Sequence, residues 1–149
     1  MKSIFKNGIC VILLVCFGCA ESMKEVPIFH ESHEPKKKNA PFSDVVQVGN
    51  TLYLAGQIGM DHADRELVDG GIKGETKQVI ENIQMVLEQH GSSLDQVVKC
   101  TVILSDINDF AAFNEVYKTY FTNKPARTTF AAAGLAANAK IEIECIAVK

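Results

Sequence analysis

The chain has 149 residues, 47% of them apolar and 22% charged, which is one domain's worth of core with no need of disulfide or metal staples. Its formal charge of −3 excludes the basic footprint that nucleic-acid binding generally requires, so no nucleic-acid partner is expected. Apart from Cys16-Phe17-Gly18-Cys19 in the apolar N-terminal segment, the five cysteines show no two-cysteine zinc or redox spacing, and the sequence contains no internal repeat, P-loop or His-Glu-x-x-His pattern, so no metal is expected.

The N-terminus reads as an export signal, with Lys2 and Lys6 ahead of the apolar run from Gly8 to Phe17. That run is well short of the ~20 apolar residues needed to span a bilayer. It ends in Cys16-Phe17-Gly18-Cys19, which resembles the lipobox of bacterial lipoproteins. The expectation is a signal peptide over 1–18, lipid on Cys19, and a polar tether over 19–38 that holds the domain off the periplasmic side of a bacterial membrane. Membrane contact would then be through the lipid alone. The alternative is a cytoplasmic protein with an apolar extension. In the tether, His30-Glu31-Ser32-His33-Glu34 has no scaffold to fix metal geometry and reads as solvated linker, as does Lys36-Lys37-Lys38.

From Asn39 to the C-terminus the pattern is that of a folded domain. Val45–Val48 and Thr51–Ala55 are β-prone runs joined by Gly49-Asn50, a two-residue hairpin signal. Gly56 follows, either as a bend or as a position where another group must approach the backbone closely. After a polar connection over Asp61–Gly71, a helix is expected from Ile72 to Gln89, with Ile72, Val79, Ile80, Ile83, Val86 and Leu87 on one face and Gly91 as stop signal. His90 at its end is explained by the helix dipole. Val97–Leu104 is a strand. Asp106–Thr122 is a second helix, capped by Asp106 or Asn108, with core residues Phe110, Phe113, Val116, Tyr117, Tyr120 and Phe121 on one face. Pro125 bars its continuation and Arg127 opens the next strand. Ile141–Ile146 alternates apolar and acidic residues, as a half-exposed strand does. Cys100 and Cys145 fall in strands; buried thiols are expected, with a disulfide left open.

This order describes an α+β sandwich with both helices on one sheet face. The other face, with small residues at Ala131, Ala132 and Ala133, calls for cover by subunit packing. Arg127, and Glu142 fifteen residues later, each place a charge inside an apolar β-prone segment where an unpaired ion is costly, which points to a carboxylate-binding pocket. Alternation alone would instead make Glu142 and Glu144 ordinary solvent-facing residues.

Leu54-Ala55-Gly56-Gln57-Ile58, Glu81-Asn82-Ile83, Ser93–Lys99, Asp109–Tyr117, Pro125-Ala126-Arg127 and Ile141–Glu144 occur in an order that resembles the RidA/YjgF family of reactive-intermediate deaminases, from about Asn39 to Val148. The resemblance implies a RidA/chorismate-mutase-like fold, a mixed β-sheet with two helices on one face, and a homotrimer with clefts between subunits. It also implies hydrolysis of 2-imino acids and their enamine tautomers to 2-keto acids and ammonia, with no metal or organic cofactor. By the same resemblance Arg127 grips the substrate carboxylate, Glu142 handles water, and Gly56 and Asn114 help line the cleft. Phe42 stands where the family usually has tyrosine, Thr129 where it usually has cysteine, and Ala55 where it often has serine. Phe42 keeps an aromatic wall without the hydroxyl, and Thr129 keeps backbone groups and a hydroxyl. The alternative functions are a non-catalytic, lipid-anchored trimer that binds a keto acid or related carboxylate, and a chaperone-like scaffold.

Overall fold

The computed structural model describes residues 25–149. The expected signal peptide, Cys10, Cys16 and the lipid-attachment Cys19 lie outside the described residues.

Seven strands and two helices follow in chain order: β1 (Ile28–His30), β2 (Val45–Val48), β3 (Thr51–Leu54), β4 (Gln57–Ile58), α1 (Gly71–Gln89), β5 (Val97–Leu104), α2 (Phe110–Tyr120), β6 (Ala126–Ala131) and β7 (Ile141–Val148). They form one sheet in the order β1-β2-β3-β7-β5-β6, with β4 also on β7. Only β5 and β6 run parallel, because α2 carries the chain back between them. Gly49 takes the left-handed conformation (φ 56°) that turns β2 into β3.

Alternation decides which side of each strand meets the helices. Ile141, Ile143, Cys145 and Ala147 of β7, with Cys100, Val102 and Leu104 of β5, are buried against Val79, Ile80, Ile83 and Leu87 of α1 and Phe113 and Tyr117 of α2. Asn82 is buried in α1, and its side-chain amide donates to the carbonyls of Ile58 (3.1 Å) and Met60 (2.9 Å), tying the helix to β4. Among the described residues no helix covers the opposite sheet face. Tyr53 and Phe130 lie on it 47% and 45% exposed, which is the uncovered face the sequence asks a subunit to cover.

Four details differ from the sequence expectation. The tether is not free in its described part: β1 pairs antiparallel with β2 (Phe29 opposite Val46), and residues 32–38 dock on the domain through Glu34. Lys37 is correspondingly not solvated, because its ammonium lies 2.7 Å from Glu34. A linker judged on polarity alone conceals such docking, since the partners, His62 and Arg65, are far along the chain. The second helix begins later than expected: Asp106 accepts from the Asn108 amide (2.9 Å) to start a 3-10 turn over Ile107–Asp109, and α2 proper opens at Phe110. Lastly, His90 is governed by burial rather than by the helix dipole. It packs against His30 (ring centroids 4.6 Å apart) and His33 (5.5 Å), and burial, then these neighbours and Lys149, push its pKa down from 6.5. Among the described residues no helix is long and apolar enough to cross a membrane.

Candidate functional site

The residues singled out in the sequence separate into two groups. The first surrounds a cavity of about 340 Å³ lined by Phe42, Gly56 and Glu142. Glu142 sits on β7 opposite Ile58 of β4 and Ile103 of β5, on the helix-free face. Its carboxylate lies over Gly56: a Cβ placed there would stand 3.1 Å from Glu142 Cγ, 2.9 Å from Cδ, and closer still to Oε1. The glycine is therefore a close-approach position, and the approaching group is Glu142. Burial, reinforced by the like charge of Glu144 two residues on, raises the Glu142 pKa above its ordinary value of 4.5. Phe42 stands at the mouth of this cavity, 54% exposed.

The second group surrounds a cavity of about 470 Å³ lined by Asn114, Tyr117 and Arg127, among others. Arg127 lies beside α2, its guanidinium carbon 4.6 Å from the Tyr117 ring centroid, 5.1 Å from Phe113 and 5.7 Å from Phe110. Aromatic faces hold a cation without occupying its N–H donors, and among the described residues Arg127 makes no ion pair. Thr129, two residues on, has its hydroxyl oxygen buried with no hydrogen-bond partner.

Register shows that one chain does not bring Arg127 and Glu142 together. Arg127 is paired with Cys100, and Glu142 with Ile103. Paired residues share a side, and residues three apart on a strand point to opposite sides. The guanidinium therefore lies on the helix side of the sheet and the carboxylate on the other.

Sequence reasoning did not find Lys37, Gln57, His62 and Arg65, which also line the Glu142 cavity. Glu34 gathers three of them, with Lys37 Nζ at 2.7 Å, His62 Nε2 at 3.2 Å and Arg65 Nη1 at 3.3 Å. Burial pushes the His62 pKa down, against the pull of Glu34. The only local signal was three polar residues, His62, Asp64 and Arg65, inside the connection Asp61–Gly71. Cys100 and Cys145 stand directly opposite each other as free, buried thiols with sulfurs 3.4 Å apart. Among the described residues no three His, Cys, Asp or Glu side chains converge to hold a metal ion.

Known proteins share this chain's sequence and fold. The sequence profile of the family described as Endoribonuclease L-PSP matches residues 32–149. A RutC family protein of Pyrococcus abyssi is 49% identical over 127 residues, covering 85% of this chain and 98% of that one. The 2-iminobutanoate/2-iminopropanoate deaminase of Mus musculus is 44% identical over 110 residues, covering 73% of this chain and 82% of its own length. The crystal structure of a yeast protein superposes with a TM-score of 0.77 at 42% identity, covering 83% of this chain and 99% of that one. With the mixed sheet, its two helices on one face and the matched span in agreement, the chain belongs to the RidA/YjgF family, described as Endoribonuclease L-PSP.

Proposed function

We propose that the protein hydrolyses 2-imino acids to 2-keto acids and ammonia, at sites completed between subunits of a homotrimer. Arg127 and Asn114 come from one subunit, and Phe42, Gly56 and Glu142 from the next. The observation that carries this reading is the separation of two complementary half-sites: an arginine with free donors in one cavity, and a carboxyl whose pKa burial raises in another, on opposite sides of the sheet.

Arg127 grips the substrate carboxylate through two parallel N–H donors, which fixes C2 in one place. Glu142, with its pKa raised toward the working pH, takes a proton from water as the oxygen adds to the C=N carbon. Glu142 passes that proton to the nitrogen to give the carbinolamine, then takes the hydroxyl proton as the C=O bond forms and delivers it to the nitrogen as the C–N bond breaks, so that keto acid and ammonia depart. The imine nitrogen is oriented by backbone groups near Gly56 and Thr129.

The test is the loss of 2-iminopropanoate, generated from alanine by an amino-acid oxidase and trapped by semicarbazide, with and without the protein. Acceleration that disappears in Arg127→Ala while the variant stays folded is the expected result; retained activity in that variant sinks the mechanism. The second reading, a keto-acid-binding trimer without turnover, draws on Phe42, whose ring has no hydroxyl to offer water or substrate. For location we propose lipid attachment at Cys19 on the periplasmic side of a bacterial membrane. Incorporation of a labelled fatty acid, lost in Cys19→Ala, is the check.

A further inference from the structure

Cys100 and Cys145 are nucleophilic side chains that the imine chemistry leaves without a role. They stand 45 residues apart in the chain, yet β5 and β7 set them directly opposite each other in antiparallel register, with their sulfurs 3.4 Å apart. That contact is about 1.4 Å longer than an S–S bond. Directly opposed residues of an antiparallel pair have Cα atoms ~4.5 or ~5.5 Å apart, according to whether they exchange hydrogen bonds, and both separations fall inside the roughly 4.4–6.8 Å that a disulfide spans. Bonding the sulfurs therefore asks for side-chain rotation and no change of register.

Other roles for the pair fit less well. Cys100 is fully buried and Cys145 is 3% exposed, both within the main core. β5 lies between β7 and β6, so neither thiol faces a sheet edge or an incoming substrate. A structural zinc site needs four ligands, and among the described residues no third His, Cys, Asp or Glu side chain joins the two. Packing accounts for each cysteine singly, as a small apolar residue, but gives no reason for two at one cross-strand position.

We propose that Cys100 and Cys145 oxidise to an intramolecular disulfide that ties β5 to β7. The bond is independent of the imine chemistry. With a small disulfide such as oxidised glutathione as oxidant, the thiolate of one cysteine attacks a glutathione sulfur, the glutathione S–S bond breaks, and one glutathione leaves as thiolate and takes up a proton. The thiolate of the other cysteine then attacks the protein sulfur of the mixed disulfide and expels the second glutathione. Two protein thiols and one glutathione disulfide become one protein disulfide and two glutathione thiols. Because both sulfurs are enclosed in the finished core, the exchange takes place while the chain folds, before β5 and β7 have closed. The bond closes a loop through α2 and β6, which restricts the unfolded chain. It also joins the strand that carries Glu142 to the strand beside Arg127, whose register partner is Cys100. In an oxidising compartment the pair stays bonded.

The experiment unfolds the full chain in denaturant with dithiothreitol, removes the reductant, and refolds the protein with reduced and oxidised glutathione. Remaining thiols are blocked with N-ethylmaleimide in denaturant at low pH, and the protein is digested with trypsin without reduction. Cleavage after Lys99, Lys118 and Lys140 gives peptides 100–118 and 141–149, each with one cysteine. The expected result is these two peptides joined, at their summed mass less two hydrogen atoms, and a melting temperature about 10 °C above that of the same protein in dithiothreitol. In Cys145→Ala, and independently in Cys100→Ala, the linked peptide is absent and the gap in melting temperature closes; the wild-type comparison decides by itself if neither variant folds. Both peptides recovered as maleimide adducts, or either of them joined to Cys10, Cys16 or Cys19 instead, overturns the disulfide. So does a linked peptide with an unmoved melting temperature, because the bond would then tie nothing.

Discussion

Replacing Gly56 with alanine tests whether Glu142 acts from where it sits. Gly56 is not among the residues with positive φ, so alanine can adopt its backbone conformation. The added methyl nevertheless meets Glu142 Cδ at 2.9 Å and Cγ at 3.1 Å, inside the 3.4 Å at which ordinary van der Waals contact begins, and meets Oε1 more closely. The carboxylate must therefore retreat by about 1 Å, through a side-chain rotation costing roughly 0.5–1.5 kcal/mol. A displacement of that size at a reacting group lowers turnover by about 100-fold. The expected outcome in the semicarbazide-trapping assay is thus a roughly 100-fold loss of kcat/KM, with the melting temperature lowered by only a few degrees. Wild-type turnover in a folded Gly56→Ala protein would refute the claim that Glu142 handles water from this seat.

Glu144→Gln removes the like charge that helps raise the Glu142 pKa, so the acid limb of the pH–rate profile should move to lower pH; an unmoved limb would mean that another group sets it. His90 tests the docking of the N-terminal segment through pH. Its folded pKa is depressed below 6.5, so the stability it contributes is complete above about pH 6.5 and is lost as pH falls through the folded value. His30, His33, Lys149 and Asp44 face it, and the protection of the β1 amides against hydrogen exchange, taken relative to the intrinsic rate at each pH, should fall over that window, with a weaker pH response in His90→Asn. A pH response identical in the two proteins would remove His90 from the docking.

The periodic parts of the fold were legible because burial enforces the period: α1 turns Val79, Ile80, Ile83 and Leu87 inward, and β7 alternates as its sequence does. The docked N-terminal segment was not. Glu34 meets Arg65 across 31 residues of chain, and neither residue advertises the other in a polar stretch. Gly56 was legible as a position needing close approach, but not as the seat of Glu142, because that contact depends on β4 pairing with β7, whose residues lie more than eighty positions away. Two-residue β4 is too short to carry a periodic signal of its own. Phe110 was assigned to the core with the rest of its stripe, yet it is half-exposed, flanking the guanidinium of Arg127. A cation that draws on aromatic faces leaves no complementary charge in the sequence to be read.

The placement of Arg127 and Glu142 on opposite sides of one sheet makes a sharper demand than the loss of activity in either variant. Under three-fold closure each site takes its arginine from one subunit and its glutamate from the next, in one direction around the ring. A trimer of Arg127→Ala subunits has no guanidinium, and a trimer of Glu142→Gln subunits has no carboxylate, so each variant alone should be inactive. In a mixed trimer, of either composition, going once around the ring passes exactly one junction where an intact arginine precedes an intact glutamate. One site in three is then restored. Random reassembly of equal amounts makes about three-quarters of the trimers mixed, so the mixture should recover roughly one-quarter of wild-type activity. Sites contained within one subunit would instead give no recovery at any mixing ratio, because every chain would carry its own defect. Unfolding and refolding the two variants together, with the separately refolded proteins combined afterwards as control, distinguishes the two arrangements. No recovery from verified mixed trimers would refute the shared site, and with it the pairing of these two residues in one reaction.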